Sequence, residues 1–400
     1  MAETISKLSV RELDLAGKRV FIRVDFNVPI RDGVVADDTR IQAALPTIRL
    51  VKEAGGRVIL ASHLGRPKGE RKPEFSLEPA ARRLGELLGE KVGFVSDCIG
   101  DEVAKAVESL ESGQVLVLEN VRFYKGETEN DPEFARQLAS VADEFVNDAF
   151  GTAHRAHAST VGVPQSLGKG AAGLLIDKEL EALSKVLYSA EHPVVAIFGG
   201  AKVSDKIDVI ENFLGFADAV LLGGGMAFTF LKAQGKEIGN SLLEAEKLDV
   251  ATGLLASAEE RGVDLALPLD VVVAPQLEEG VDTKTVPSNE IPSGTMGLDV
   301  GPATVEAFSK KLEGAKTVIW NGPLGVFELD QFANGTLGVA EAVAYCGAFT
   351  LIGGGDSVSA VKKAGVADRI SHISTGGGAS LQFLAGKELP GIAILTDRRS

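Results

Sequence analysis

Short runs of β-branched residues, each followed by a longer stretch of helical spacing, recur from one end of this chain to the other. No other feature limits the fold as much. A run of four to six apolar residues with a helix-length segment behind it is satisfied by pairing with the next run in parallel, the segment crossing over the sheet face. The first series is Arg19–Val24, Arg57–Ala61, Val115–Leu118 and Glu144–Val146, with helical spacing between strands as in Glu78–Leu88. The second is Val194–Phe198, Ala219–Leu222, Val271–Val273, Thr317–Trp320 and Phe349–Ile352. The pattern predicts an α/β protein whose series of strands restarts midway.

Between the two series, Leu180, Leu183, Val186 and Leu187 follow helical spacing among charges, which predicts an amphipathic helix over Asp177–Ala190. Pro164 and the glycines at 168, 170 and 173 precede it, and Pro193 follows it. The chain is therefore expected to form two Rossmann-like domains, each a parallel sheet flanked by helices, joined by this helix and a hinge. The boundary falls between residues 176 and 177. At 400 residues with 45% apolar content, the chain has material for two cores.

Cys98 and Cys346 lie far apart without metal-ligand or CxxC spacing, which suggests neither a disulfide framework nor a zinc site. The first residues lack a basic-then-apolar leader layout, and no apolar run approaches bilayer length. A soluble, cytoplasmic protein is expected. A net charge of −15 argues against nucleic acid or an anionic membrane as partner, since both require a basic footprint. The charge is uneven: residues 1–176 carry 23 Lys+Arg against 26 Asp+Glu, and residues 177–400 carry 18 against 30. The first half accepts an anionic ligand at lower electrostatic cost.

In open parallel sheets, ligands collect beyond the C-terminal ends of the strands. In the first half, Asp25 and Asn27 follow the first strand, with Arg40 a little further on. His63, Leu64, Gly65 and Arg66 follow the second, Arg122 the third, and His154, Arg155 and His157 the fourth. Arginine offers a planar fork for carboxylate or phosphate and keeps its charge. Several converging on one rim point to a small polyanion, with Asp25 and Asn27 suited to its hydroxyls.

The second half instead places glycine clusters after its strands: Gly199-Gly200-Ala201-Lys202, Gly223-Gly224-Gly225, Asn321-Gly322-Pro323, Gly353-Gly354-Gly355-Asp356 and Gly376-Gly377-Gly378. Glycine admits close backbone approach, and helix starts offer free N–H groups to phosphate. A nucleotide is the expected ligand. Neither GxxxxGK[ST] nor a clean GxGxxG after a first strand occurs, which disfavours the common phosphate loop and a dinucleotide fold. Lys202 and Lys206, four residues apart at an expected helix start, would present both ammonium groups on one face. Asp356 is a natural carboxylate for magnesium, with Ser357 beside it, and Glu328 is placed to bond a ribose hydroxyl.

The strings RVDFNVP (23–29), HLGRP (63–67), ENVRFY (119–124), NDAFGTAHRAHAS (147–159), GGAKVSDKI (199–207), GGGMAFTFLK (223–232), MGLDVGP (296–302), WNGPLGVFE (320–328), GGGDS (353–357) and STGGGASL (374–381) resemble the phosphoglycerate kinase family, in the family's order and over nearly the whole chain. The resemblance implies that 3-phosphoglycerate or 1,3-bisphosphoglycerate binds through Asp25, Asn27, Arg40, His63, Leu64, Gly65, Arg66, Arg122 and Arg155. Mg-ADP or Mg-ATP would bind through Gly200, Ala201, Lys202, Lys206, Gly224, Asn321, Pro323, Glu328, Gly354, Gly355, Asp356 and Ser357, with Asp356 linked to Mg2+. It implies further that the chain end returns to the first domain, so that 1–176 with 390–400 forms one domain and 177–389 the other, and that the enzyme is a monomer.

Transfer between two anions needs alignment and charge stabilisation rather than a general base. Arg40 and Lys202 are assigned that role, with the backbone of Gly376 and Gly377 as partners. The helix Asp177–Ala190 and Ser374–Thr375 are the expected hinges. Two other classes share the α/β pattern: a nicotinamide-dependent oxidoreductase, which lacks its fingerprint here, and a non-catalytic metabolite-binding protein, which has no need of Arg40, Lys202 and Asp356 together.

Overall fold

The computed structural model describes residues 5–398. They form two compact units, one of residues 182–387 and the other of the remainder on either side.

The first unit is built on six parallel strands: β1 (Arg19–Arg23), β2 (Arg57–Ala61), β3 (Gly93–Val95), β4 (Val115–Leu118), β5 (Glu144–Asn147) and β6 (Ala171–Ala172), in the order β3-β4-β2-β1-β5-β6. Helices cover both faces, so the central strands are buried almost throughout and read as apolar runs rather than alternations. Val20, Ile22, Val58, Leu60, Val115 and Val117 form one core with Ile41, Ala44, Ile48 and Val51 of helix α1 (Thr39–Glu53). Arg19 and Arg57 are partly exposed at the starts of β1 and β2, whereas Arg23, at the end of β1, has no exposed surface. The segment Pro390–Ala393 packs on this unit, where Gly391 donates to the Ala153 carbonyl (2.8 Å) and accepts from Asn147 Nδ2 (2.9 Å).

Helix α2 spans Leu174–Tyr188, three residues earlier at its start than the amphipathic spacing indicates. Its first turn is tied to distant parts of the unit. Leu174 N–H donates to Thr47 Oγ1 and Leu175 N–H to Asp148 Oδ1, both at 2.9 Å, so partners distant in sequence satisfy two of the orphan donors.

The second unit repeats the architecture with β7 (Val194–Phe198), β8 (Ala219–Leu222) and β9 (Asp264–Ala266), followed after an insertion by β13 (Thr317–Asn321), β14 (Phe349–Gly353) and β15 (His372–Ile373). The order is β9-β8-β7-β13-β14-β15, all parallel. The insertion corrects one expectation. Val271–Val273, placed by its β-branched run in the parallel series, belongs to a separate antiparallel sheet of β10 (Asp270–Ala274), β11 (Lys284–Pro287) and β12 (Met296–Val300), in the order β11-β10-β12. The segments joining these strands contain no helix. Without a crossover, neighbouring strands pair antiparallel.

Candidate functional site

Each unit carries its own cavity beyond the C-terminal ends of its parallel strands. In the first unit it measures about 500 Å³ and is lined by Arg66, Lys68, Gly69, Arg122, Lys125, Thr128, Glu129, Arg155 and His157. Three predicted arginines therefore meet in one place. Arg122 is held by its backbone, which donates to Asn120 Oδ1 (3.0 Å), and by one guanidinium nitrogen, which donates to the Gly65 carbonyl (2.9 Å). Its Nε and Nη2 are buried without a partner, as are Nδ1 of His154 and of His157. Orphaned buried donors around a cavity cost stability unless an acceptor arrives. Burial, with Arg23 and Arg155 nearby, brings the Arg122 pKa down to about 10, so the guanidinium is still charged at neutral pH. Burial and the surrounding arginines bring His157 down to about 3 and also lower His154, so neither ring adds a cation.

Asp25, Asn27 and Arg40 form a second group joined to the first through the loop after β2. Arg40 Nη1 donates to Asp25 Oδ2 (3.1 Å) and to the Asn27 carbonyl (3.2 Å), and Asn27 Oδ1 accepts from Gly65 N–H (2.9 Å). Leu64 points its side chain into the core and gives its carbonyl to Asn120 Nδ2 (2.8 Å). His63 is buried, and burial followed by the charges of Arg23, Arg122 and Arg40 holds its pKa well below the usual range. Its Nδ1 lies 3.2 Å from Arg23 Nη2, which can only donate. The neutral ring therefore carries its hydrogen on Nε2.

Arg23 is the residue that strand-end reading misses, because it lies within β1. Its Nε donates to Ser159 Oγ (2.7 Å), and Ser159 donates from Oγ and N to the two oxygens of fully buried Glu127 (2.7 and 2.9 Å). Arg23 Nη2 stands 3.9 Å from Glu127. An arginine at the far end of β1, after the apolar run Val20–Ile22, was the available signal.

The cavity of the second unit, about 280 Å³, has Gly200, Ala201, Gly224, Pro323, Glu328 and Asp356 among its lining residues. The glycine loops are stitched to one another. Gly200 N–H donates to the Pro323 carbonyl (2.9 Å), Gly224 N–H to Leu324 (3.1 Å) and Met226 N–H to Gly200 (3.0 Å). A Cβ on Gly224 would lie 2.7 Å from Gly200 N and 2.8 Å from the Pro323 carbonyl, and its φ of 68° is left-handed. At these loops glycine serves close loop packing, so the N–H groups of Gly200 and Gly224 are engaged within the protein rather than offered to a ligand. Free donors lie instead at the start of helix α4 (Gly355–Lys363), capped by Gly354, where intrahelical bonding begins with Val358 N–H. Asp356 is exposed in this first turn.

Lys202 and Lys206 do not share a helix, contrary to their spacing, because helix α3 (Ile207–Phe213) starts only after Lys206, which is its cap. Lys202 is exposed in the preceding loop. Lys206 is half-buried and donates to Asn321 Oδ1, and burial brings its pKa down to about 8 against the opposing pull of Asp205 and Asp356. Asn321 is itself buried, its Nδ2 donating to the Gly353 carbonyl (2.9 Å), and Ser357 Oγ accepts from Gly322 N–H (2.6 Å). Asn321 and Ser357 thus hold the loops that carry Lys206 and Asp356. Gly376 and Gly377 line neither cavity. They precede helix α5 (Gly378–Leu384), and Gly376 N–H is taken by Ser374 Oγ (3.1 Å).

The cavity's apolar walls, Phe228, Leu242, Leu277, Met296 and Val326 among them, went unread in the sequence. Met296 and Val271 reach it from the antiparallel insertion. An apolar cavity bordered by a glycine mesh and a helix start suits a base ring with an anionic tail. Among the described residues, no group of three or more His, Cys, Asp or Glu is placed to hold a metal. The single exposed carboxylate of Asp356 suits a magnesium ion that takes most of its oxygens from phosphate and water.

A sequence profile of the family described as phosphoglycerate kinase matches residues 10–387. Phosphoglycerate kinase of Thermosipho africanus is 56% identical over 399 residues, covering 99% of both chains. That of Rubrobacter xylanophilus is 58% identical over 394 residues, covering 98% of this chain and 99% of the relative. The solved structure of phosphoglycerate kinase from Coxiella burnetii superposes with a TM-score of 0.89 at 46% identity, covering 97% of this chain and 98% of that one. The enzyme from Pyrococcus horikoshii superposes with a TM-score of 0.82 at 35% identity and the same coverage.

Proposed function

The chain belongs to the phosphoglycerate kinase family, kinases that transfer phosphate to a carboxyl acceptor, and from that premise we propose that it catalyses reversible, magnesium-dependent transfer between 1,3-bisphosphoglycerate and ADP, giving 3-phosphoglycerate and ATP. The observation that carries this reading is the set of buried, unpartnered donors facing the cationic cavity of the first unit, led by Arg122 Nε and Nη2. Such a site is incomplete without a small multivalent oxyanion. The largely apolar cavity of the second unit, with Lys206 and the start of α4 near its glycine mesh, suits the nucleotide.

The phosphate of phosphoglycerate sits among Arg66, Arg122 and Arg155, and Nε2–H of neutral His63 is available as a hydrogen-bond donor. Asp25 and Asn27 orient Arg40, which faces the carboxylate end. The acceptor is already ionised at neutral pH, so no side chain has to remove a proton. Arg40 and Lys202 stabilise charge on the moving phosphoryl group, and in-line alignment does the rest. Asp356 would hold Mg2+, which when bound shields the nucleotide phosphates. Because each ligand has its own unit, turnover requires the units to bring them together, with α2 as a hinge; compaction in solution scattering on adding both ligands is the expected sign. On this reading the protein is a monomeric cytoplasmic enzyme acting on small molecules, with no nucleic-acid or membrane partner. Among the described residues, no helix is long and apolar enough to cross a membrane.

The test is ADP formation from ATP and 3-phosphoglycerate. Turnover is expected with magnesium and is expected to vanish with a chelator, returning on readdition. An inactive protein in the presence of magnesium overturns the reading.

Nucleotide affinity should also depend on pH. Lys206 is protonated below about 8 in the free protein and loses its charge above it. Calorimetric Kd for ADP is expected to rise above pH 8 by at most about tenfold per pH unit. Lys206→Met should bind weakly with that component absent. An identical rise in Lys206→Met would assign it to another group.

A further inference from the structure

The cavity of the first unit holds more cations than the strand ends supply. Lys68 and Lys125 line it beside Arg66, Arg122 and Arg155, while Glu129 is the one carboxylate among its lining residues. The two segments that carry these lysines are shaped around each other. Lys68 adopts φ 61°, a left-handed conformation that an L side chain enters at a cost. The next residue, Gly69, has φ 77°, and a Cβ there would stand 2.3 Å from Lys125 Cγ and 3.1 Å from Lys125 N. Glycine at 69 therefore lets Lys125 lie against the Lys68 loop. Gly69 N–H donates to the Arg122 carbonyl (3.2 Å), which ties that loop to the residue whose guanidinium lacks partners. Both lysines are exposed, and among the described residues neither ammonium has an ion-pair partner.

The two kinds of cation differ in what they do best. Buried Arg122 acts at short range through a rigid fork, whereas an exposed ammonium on a flexible stem attracts over roughly a Debye length, about 8–10 Å at moderate salt. Range matters here because the chain as a whole carries −15 and repels an approaching anion. We propose that Lys68 and Lys125 form an outer recruiting tier of the phosphate site, drawing in the phosphate end of phosphoglycerate and retaining it over Arg122. This rests on the reading that the cavity takes phosphoglycerate.

The experiment compares Lys68→Gln, Lys125→Gln, the double variant and Arg122→Gln, with phosphoglycerate and ATP titrated separately at low and high salt. Each lysine exchange is expected to raise KM for phosphoglycerate about three- to tenfold at low salt, within the range of electrostatic steering. The double variant should do so more strongly, flattening the salt dependence of kcat/KM and leaving KM for ATP unmoved. Gly69→Ala, whose new methyl displaces Lys125, should reproduce the Lys125→Gln increase. An unchanged KM and salt slope in the double variant, with KM raised in Arg122→Gln, overturns the lysines' role and leaves the cavity's. A KM unchanged in Arg122→Gln as well overturns the underlying reading.

Discussion

Arg40→Ala is expected to lower kcat by about 10²–10³-fold, the loss that follows removal of one preorganised donor aimed at developing charge. Only Nη1 of Arg40 is tied down, to Asp25 Oδ2 and the Asn27 carbonyl, and the side chain remains 40% exposed. The far side of the guanidinium is therefore held in place without being used up. Asp25 is itself fixed by Asn27 N–H (3.2 Å), and Asn27 Oδ1 by Gly65 N–H, so little reorganisation is needed as charge builds. The loss should fall on kcat, in contrast to the lysine variants, whose effect falls on KM. Arg40→Lys keeps the charge but gives up the fork, and most of the loss should persist. Asp25→Asn should reproduce part of it by loosening the same guanidinium. Steady-state kinetics with both substrates saturating decides the matter: a kcat for Arg40→Ala within threefold of wild type removes Arg40 from the transfer step.

Glu127→Leu is expected to destabilise the protein by about 3–5 kcal/mol, because it leaves the Arg23 guanidinium charged in the core with its counter-ion gone. Neither side chain has any exposed surface. Burial lowers the Arg23 pKa, and Glu127 is the first charge opposing that shift. Ser159 would at the same time lose the acceptor for its N–H and hydroxyl. A loss of this size takes a large share of the roughly 5–15 kcal/mol that holds a domain folded. In urea unfolding followed by a probe in the first unit, the midpoint should fall with little change in slope. The paired exchange Arg23→Met with Glu127→Leu should recover most of the loss, since an apolar pair of similar volume carries no desolvation cost. A single exchange costing under about 1 kcal/mol would mean that water or another group neutralises Arg23.

The two results probe different layers of one site. On the proposed reading Arg40, part-exposed, acts on the reacting end of the substrate, whereas Glu127 is fully buried and supports the site from behind. Glu127 holds Arg23, and Arg23 in turn donates to His63 and so sets which ring nitrogen carries the hydrogen. Glu127 is therefore a positioning residue, and a milder exchange such as Glu127→Gln tests that role apart from stability. It should shift KM for phosphoglycerate while ADP affinity stays constant.

Much of this was legible along the chain because the relevant signals are local. The β-branched runs of β1, β2, β4, β7, β13 and β14 are short, apolar and followed by helical spacing, which leaves parallel pairing as their solution. Arg66, Arg122 and Arg155 lie in the segments that follow strands β2, β4 and β5, and a parallel sheet delivers such segments to one edge. The antiparallel insertion was misread because Val271–Val273 looks like any buried strand. The clue lay in the helix-free segments on either side of it. Lys202 and Lys206 were set on one helix by spacing alone, although α3 begins only at Ile207.

The order of residues determined by itself that there are two parallel sheets, and that their carboxyl ends carry cations in one half and glycines in the other. Strand periodicity and strand-end chemistry are read within a few residues. Only the tertiary structure decided which of these groups matter electrostatically: Arg122 buried with two nitrogens unpaired, Arg23 neutralised by Glu127, Lys206 partly desolvated beside Asn321, and the glycine loops bonded to each other. Desolvation and an orphaned donor are properties of what packs against a group, and those partners lie tens to more than a hundred residues away.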